Sequence, residues 1–188
     1  MLTSNDLEEI YLSGLTNLLH INVALNSLKS LDLKENLKLE HLYCYKNSDI
    51  TELEVKHLTN LRSLYCYRCS IKKLDCGGLG KLEEVNCANL LLLEKLLVNG
   101  CISLKNLDCA ENPYLKSLTI SNLLQLESIS VRESGLENIN INNSPCLEFL
   151  DFSRQLTLIF SGTIIKDVLL VNTEITIDEI TANNLKEL

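Results

Sequence analysis

Aliphatic side chains return along this chain on a fixed beat. The template L-x-x-L-x-L-x-x-N, with Ile, Val, Phe or Cys standing for Leu, fits at Leu18-Ile21-Val23-Asn26, Leu28-Leu31-Leu33-Asn36 and Leu39-Leu42-Cys44-Asn47. It recurs at Ile50-Leu53-Val55-Leu58, Leu61-Leu64-Cys66-Cys69, Ile71-Leu74-Cys76-Leu79 and Leu82-Val85-Cys87-Leu90. Leu93-Leu96-Val98-Cys101, Leu104-Leu107-Cys109-Asn112 and Leu115-Leu118-Ile120-Leu123 follow, then Leu126-Ile129-Val131-Ser134, Leu136-Ile139-Ile141-Ser144 and Leu147-Leu150-Phe152. Each unit starts ten or eleven residues after the last. Each also ends in apolar-x-apolar, the period of two that marks a strand. A unit this short holds a strand and a corner and leaves no room for a helix of its own.

Two units therefore make one coil, and coils stack at about 4.8 Å with equivalent strands paired in parallel. The pattern predicts a β-rich solenoid, right-handed by the crossover rule, with strands on both sides of each coil and short terminal caps. Its core is one column of aliphatic side chains per template position. The whole of 1–188 reads as one domain. Residues 1–17 form an N-terminal cap or first half-coil, 18–155 the regular repeats, and 156–188 degenerate repeats and a C-terminal cap.

The two sides of the coil differ. On side A, with units starting at 18, 39, 61, 82, 104, 126 and 147, the last template position reads Asn26, Asn47, Cys69, Leu90, Asn112, Ser134 and Gln155. On side B it reads Asn36, Leu58, Leu79, Cys101, Leu123 and Ser144. Asparagine at a corner satisfies backbone groups that the turn leaves unpaired, so A is the principal strand face and B the variable return.

This pattern resembles the bacterial leucine-rich repeat family. The nested double form, with cysteine in place of one leucine, is similar to the 21-residue repeats of internalin-like proteins. It departs from them in its leucine-filled B corners, and no wall anchor or signal sequence is recognisable in it. The resemblance implies a leucine-rich repeat solenoid.

The repeat also accounts for the cysteines. Cys44, Cys66, Cys87 and Cys109 recur one coil apart at the third apolar position of A, Cys76 holds that position in B, and Cys69 and Cys101 stand at corners. Only Cys146 is off the template. A buried thiol packs as a small hydrophobe. The Cys66-x-x-Cys69 pair lacks the second pair that a zinc site needs. Stacked thiols lie within disulfide reach, so thiol redox or metal use stays open as an alternative. Their burial as thiols favours a reducing compartment, hence a cytoplasmic placement. The alternative is a secreted or cell-surface protein.

At the N-terminus, Leu7-Ile10-Leu12-Leu15 fits a B unit, but Asn5 followed by Glu8 is also a capping-box pattern, and a short capping helix is expected. After Phe152 the register falters through QLTLIFSGT and recovers at Ile165-Val168-Leu170-Thr173. The tail reads as a helix opened by Thr176 or Asp178.

Residues between the template positions face outward. Four of the six tyrosines, Tyr43, Tyr45, Tyr65 and Tyr67, fall in two adjacent A strands. Parallel register sets Tyr43 beside Tyr65 and Tyr45 beside Tyr67, with His41 and Arg68 at their border. Aromatic and Arg side chains are enriched in interface hot spots, which points to a partner-binding patch. The same tyrosines could serve only to brace neighbouring coils.

The net charge of −8 argues against a nucleic-acid partner. No apolar run reaches the length of a membrane helix. No G-x-S-x-G, phosphate-loop or H-E-x-x-H motif is present. The expectation is a non-catalytic module without cofactor that binds a protein partner through His41, Tyr43, Tyr45, Tyr65, Tyr67 and Arg68. The alternatives are a carbohydrate-binding or adhesion repeat, with Asn138, Asn140 and Asn142 as a further row that could meet sugar hydroxyls, and a thiol-based protein.

Overall fold

A computed structural model describes residues 2–152, 156–161, 167–170 and 175–179, with side chains over 2–151. The apolar-x-apolar ends of the A units fold as short strands: His20–Asn22 (β1), His41–Tyr43 (β2), Ser63–Tyr65 (β3), Glu84–Asn86 (β5), Asn106–Asp108 (β7), Ser128–Ser130 (β9), Phe149–Phe152 (β11) and Asp167–Leu170 (β13). They form one eight-stranded sheet in that order, every pair parallel. The second apolar position meets its own counterpart in each coil: Ile21, Leu42, Leu64, Val85, Leu107, Ile129, Leu150 and Val168 stand in one register.

The strands are short because the chain must turn after each. One residue per coil just before the corner is left-handed: Leu25, Lys46, Arg68, Asn89, Glu111 and Glu133 have φ of 56°, 56°, 57°, 53°, 57° and 53°. That conformation costs an ordinary L residue about 1–2 kcal/mol. It is held by bonds to the next coil, such as Lys46 N–H to Tyr67 O at 2.8 Å and Arg68 N–H to Ala88 O at 3.1 Å. Asparagine then closes the corner. Asn47 Nδ2 donates to Cys44 O at 2.8 Å and to Val23 O of the preceding coil at 3.0 Å. Its Oδ1 accepts Leu28 N–H at 3.1 Å. Asn26 and Asn112 repeat the arrangement. Cys69 and Cys101 keep only the donor half, to Cys44 O at 3.4 Å and Cys76 O at 3.1 Å.

Return strands are Lys73–Asp75 (β4), paired with Lys95–Leu97 (β6), and Ser117–Ser121 (β8), Asn138–Asn142 (β10), Leu156–Ser161 (β12) and Ile175–Glu179 (β14), which form a second parallel sheet. No strand forms at 30–34 or 52–56, although Leu31, Leu33, Leu53 and Val55 are buried on template. The template stacks Asp32, Glu54 and Asp75 in one outward column there, and Lys34 over Lys56. Like charges set opposite one another oppose a ladder. In β8 and β10 the outward residues are Ser, Thr and Asn, and the ladder closes.

The expected N-terminal helix is not formed. Leu2 N–H bonds Asn22 O at 3.0 Å and Ser4 N–H bonds Ala24 O at 3.2 Å, as Val23 N–H and Leu25 N–H bond Tyr43 O and Tyr45 O one coil on. Ser4 is left-handed like Leu25. Leu12 is buried, and Leu7 and Ile10 pack on the core. The segment forms no helix because the first coil offers backbone partners that an isolated two-turn helix lacks. After Phe152 described strands resume at β12, whose register against β14 shifts between Leu158 and Ile159. In β12, Leu158 and Phe160 stand opposite Ile139 and Ile141. Where a helix from Thr176 or Asp178 was expected, β14 continues the second sheet against β12. Gln155, Ile165, Thr173 and the rest of that expected helix, 180–188, lie outside the described residues.

Candidate interaction face

The A sheet presents three columns of outward side chains, and aromatic rings fill their N-terminal part. His20 and His41 stack with centroids 4.6 Å apart and planes 8° apart. His41 and Tyr43, two residues apart on β2, are 6.4 Å apart and also near parallel. Tyr43 meets Tyr65 at 5.2 Å, tilted by 46°, and Tyr45 stacks on Tyr67 at 4.4 Å and 7°. The structure therefore brings His41, Tyr43, Tyr45, Tyr65 and Tyr67 into one patch over neighbouring coils. Arg68 is exposed at its border, on a left-handed residue. His20 was absent from the sequence-derived patch, although its place one coil before His41 already put it there.

The rings are partly buried and wired into their surroundings. Tyr65 O–H donates to Glu84 Oε2 at 2.8 Å. Burial, followed by that bond and the neighbouring Tyr43, pushes the Tyr65 hydroxyl up to about 12. Burial and Tyr45 also raise that of Tyr67, against the opposing pull of Arg68. His41 Nδ1 lies 3.1 Å from Ser63 Oγ.

C-terminal to the rings the face turns polar. A concavity of about 290 Å³ opens between Tyr65 and Phe149, with Glu84, Asn86, Asn106 and Asp108 on its floor. Asn86 Nδ2 donates to Asp108 Oδ2 at 3.1 Å, and Asp108 Oδ1 accepts Ala110 N–H at 3.2 Å. The same short motif holds Ala24 N–H on Asn22 and Ala88 N–H on Asn86, each at 3.2 Å. Sequence reasoning did not single out Glu84 or Asp108 for this face. Their signal is the parallel register, which sets Glu84 beside Ser63 and Asp108 beside Asn86.

The cysteines lie behind this face. All but Cys146 are buried, and all eight are free thiols. Burial pushes the Cys66, Cys76 and Cys87 thiols well above their ordinary range, and that of Cys101 up to about 11. Among the described residues no three His, Cys, Asp or Glu side chains are grouped to hold a metal ion. His20 and His41 cannot chelate one ion between them, because nitrogen lone pairs lie in the ring planes and these planes are parallel.

Solved structures with this architecture include the functional domain of InlJ from Listeria monocytogenes, which includes a cysteine ladder. It is 23% identical over 99% of this chain and 51% of that one, with a TM-score of 0.59. An internalin, InlF, from Listeria monocytogenes strain 4b F2365 is 20% identical over 96% of this chain and 68% of that one, with a TM-score of 0.55. The chain thus spans about half the length of the InlJ domain. No protein-family model matches it, and no curated protein matches it by sequence. The likeness is one of fold: an internalin-type leucine-rich repeat solenoid with a cysteine ladder along its core.

Proposed function

We propose that this chain is a non-catalytic binding module that holds a protein partner on its A face, through His41, Tyr43, Tyr45, Tyr65, Tyr67 and Arg68. The observation that carries the reading is the aromatic patch itself. Four ring contacts join six side chains across three coils, on a sheet whose backbone is already fully laddered in β1, β2 and β3. Rigid aromatic side chains on a rigid scaffold lose little entropy when a partner docks. Stacking of His20 on His41 and of Tyr45 on Tyr67 withdraws one face of each of these rings from a ligand. That leaves fewer bare faces for a sugar ring, while edges and hydroxyls stay open to a protein surface.

Burial of seven of the eight thiols shields them from oxidants in any medium, so they no longer argue for the cytoplasm. The likeness to internalins favours the secreted or cell-surface alternative.

The test is affinity capture with the Tyr45→Ser/Tyr67→Ser variant. Loss of the partners that the wild type captures, with the melting midpoint lowered by only a few degrees, is expected. Unchanged capture would show that the rings only brace the coils, and hits on a glycan array with no protein captured would replace the reading with the carbohydrate one.

A further inference from the structure

The carboxylates of the A face are divided in their bonding. Along its edge, Glu40, Arg62, Glu83 and Lys105 alternate in sign and neutralise one another, at 3.7, 2.7 and 3.4 Å. Arg62 and Lys105 together hold the Glu83 carboxyl below the usual carboxylate range. Glu111 is matched by Arg132 at 3.6 Å. On the face itself, Glu84 and Asp108 make no ion pair among the described residues. Glu84 has the Tyr65 hydroxyl, and Asp108 has an amide side chain and a backbone N–H. Asp151, two coils beyond Asp108 in the same column, keeps a buried Oδ1 that meets no hydrogen-bond donor among the described residues. Burial first, with Glu111 and Asp151 adding to it, raises the Asp108 pKa against the Ala110 N–H bond and the more distant pull of Arg132. Free protein therefore holds a partly desolvated carboxylate that makes no direct ion pair among the described residues, a state that an incoming cation relieves.

We infer that the partner segment on this face is cationic: an extended stretch bearing arginine or lysine lies along the A sheet and seats a basic side chain in the concavity between Tyr65 and Phe149, against Glu84 and Asp108. This rests on the proposed binding face and adds the chemistry of its occupant. The concavity supplies both requirements of a basic side chain. Carboxylate and amide oxygens accept its donors, and Tyr65 offers an aromatic wall for a cation. Four coil spacings, about 19 Å, separate Tyr65 from Phe149, a span that about six extended residues cover. Arg132, nearby on the sheet, is engaged with Glu111. The chain's net charge of −8 steers a basic segment toward it from a distance.

The probe is an oligoarginine peptide, with an oligocitrulline peptide as its uncharged counterpart, titrated by fluorescence anisotropy and followed by amide NMR. The variant is Glu84→Gln/Asp108→Asn. Gln keeps an acceptor for Tyr65, and Asn22 and Asn86 already make the turn that Asp108 makes, so Ala110 N–H keeps its acceptor and only the Asn86 bond to residue 108 is given up. A control, Glu52→Gln/Glu54→Gln, removes the same charge from the return side. Wild type is expected to prefer arginine to citrulline and to shift the amides of 84–86 and 106–108. The face variant should bind oligoarginine about tenfold more weakly or worse, and the control should fall by less than twofold. Equal losses in both variants, or none in the face variant, overturn the inference. If oligoarginine binding survives the face variant while Tyr45→Ser/Tyr67→Ser abolishes partner capture, the binding face stands and its occupant is not cationic.

Discussion

A single asparagine shows how the coil closes. Asn47 is fully buried and serves three backbone groups of two coils. Asn47→Ala orphans Leu28 N–H, which costs about 1–3 kcal/mol, and removes one of two donors from Val23 O and from Cys44 O, which keep Asn26 Nδ2 and Cys69 Sγ. A loss on the order of 2–4 kcal/mol follows. Asn47→Cys should cost about half of that, because cysteine already stands at two such corners. Cys69 gives its proton to the preceding coil's carbonyl, and Ile50 N–H, lacking the amide oxygen, turns to Asn47 O at 3.2 Å. Urea midpoints of the two variants rank them. If Asn47→Cys melts with Asn47→Ala, the thiol is not a working substitute for the amide, and the corner cysteines are there for another reason.

Strands form where both the buried and the outward columns permit them. The A sheet runs unbroken because Leu, Ile and Val align inside while rings, amides and hydroxyls align outside. Side B shows the opposite in its first coils, where Asp32, Glu54 and Asp75 share a column and no strand forms at 30–34 or 52–56. Glu54→Thr should let residues 53–56 pair with 74–77 and slow hydrogen exchange of their amides by about an order of magnitude, on the few tenths to 1 kcal/mol that a repaired cross-strand pair supplies. Exchange that stays as fast as in the wild type would mean that the coils splay there for reasons of backbone geometry, not charge. The inner columns were legible from residue order alone, since a period of two within a period of ten or eleven has no other compact solution. The N-terminus was not, because the Asn5–Glu8 signal is local while the partners that won, Asn22 O and Ala24 O, lie one coil away. The aromatic patch was legible as a neighbourhood, because register sets which side chains meet. The tilt of Tyr43 on Tyr65, and the carboxylates beyond them, needed coordinates.

As a whole the molecule is a stack in which each coil buries its neighbour, so no small set of residues guards the interior, and access to the core requires coils to part. The cysteines report that parting. Cys44, Cys66, Cys76, Cys87 and Cys109 have no exposed surface, and burial holds the thiols of Cys66, Cys76 and Cys87 protonated far above neutral pH. A thiol must be both ionised and reachable to attack a disulfide reagent. Cys146 alone is exposed. Cys69, the one other cysteine with any exposed surface, is still only 4% exposed. Native protein should therefore release one equivalent of thionitrobenzoate at once, a second slowly from Cys69, and the remaining six only as denaturant opens the stack. Because solenoid coils are held chiefly by their nearest neighbours, those six should not appear together: fraying from an end exposes the outer thiols before Cys87, whose coil has neighbours on both sides. Simultaneous release of all six would instead mark one cooperative unit, and fast release of several in native buffer would mean that the thiols line a surface and not a core.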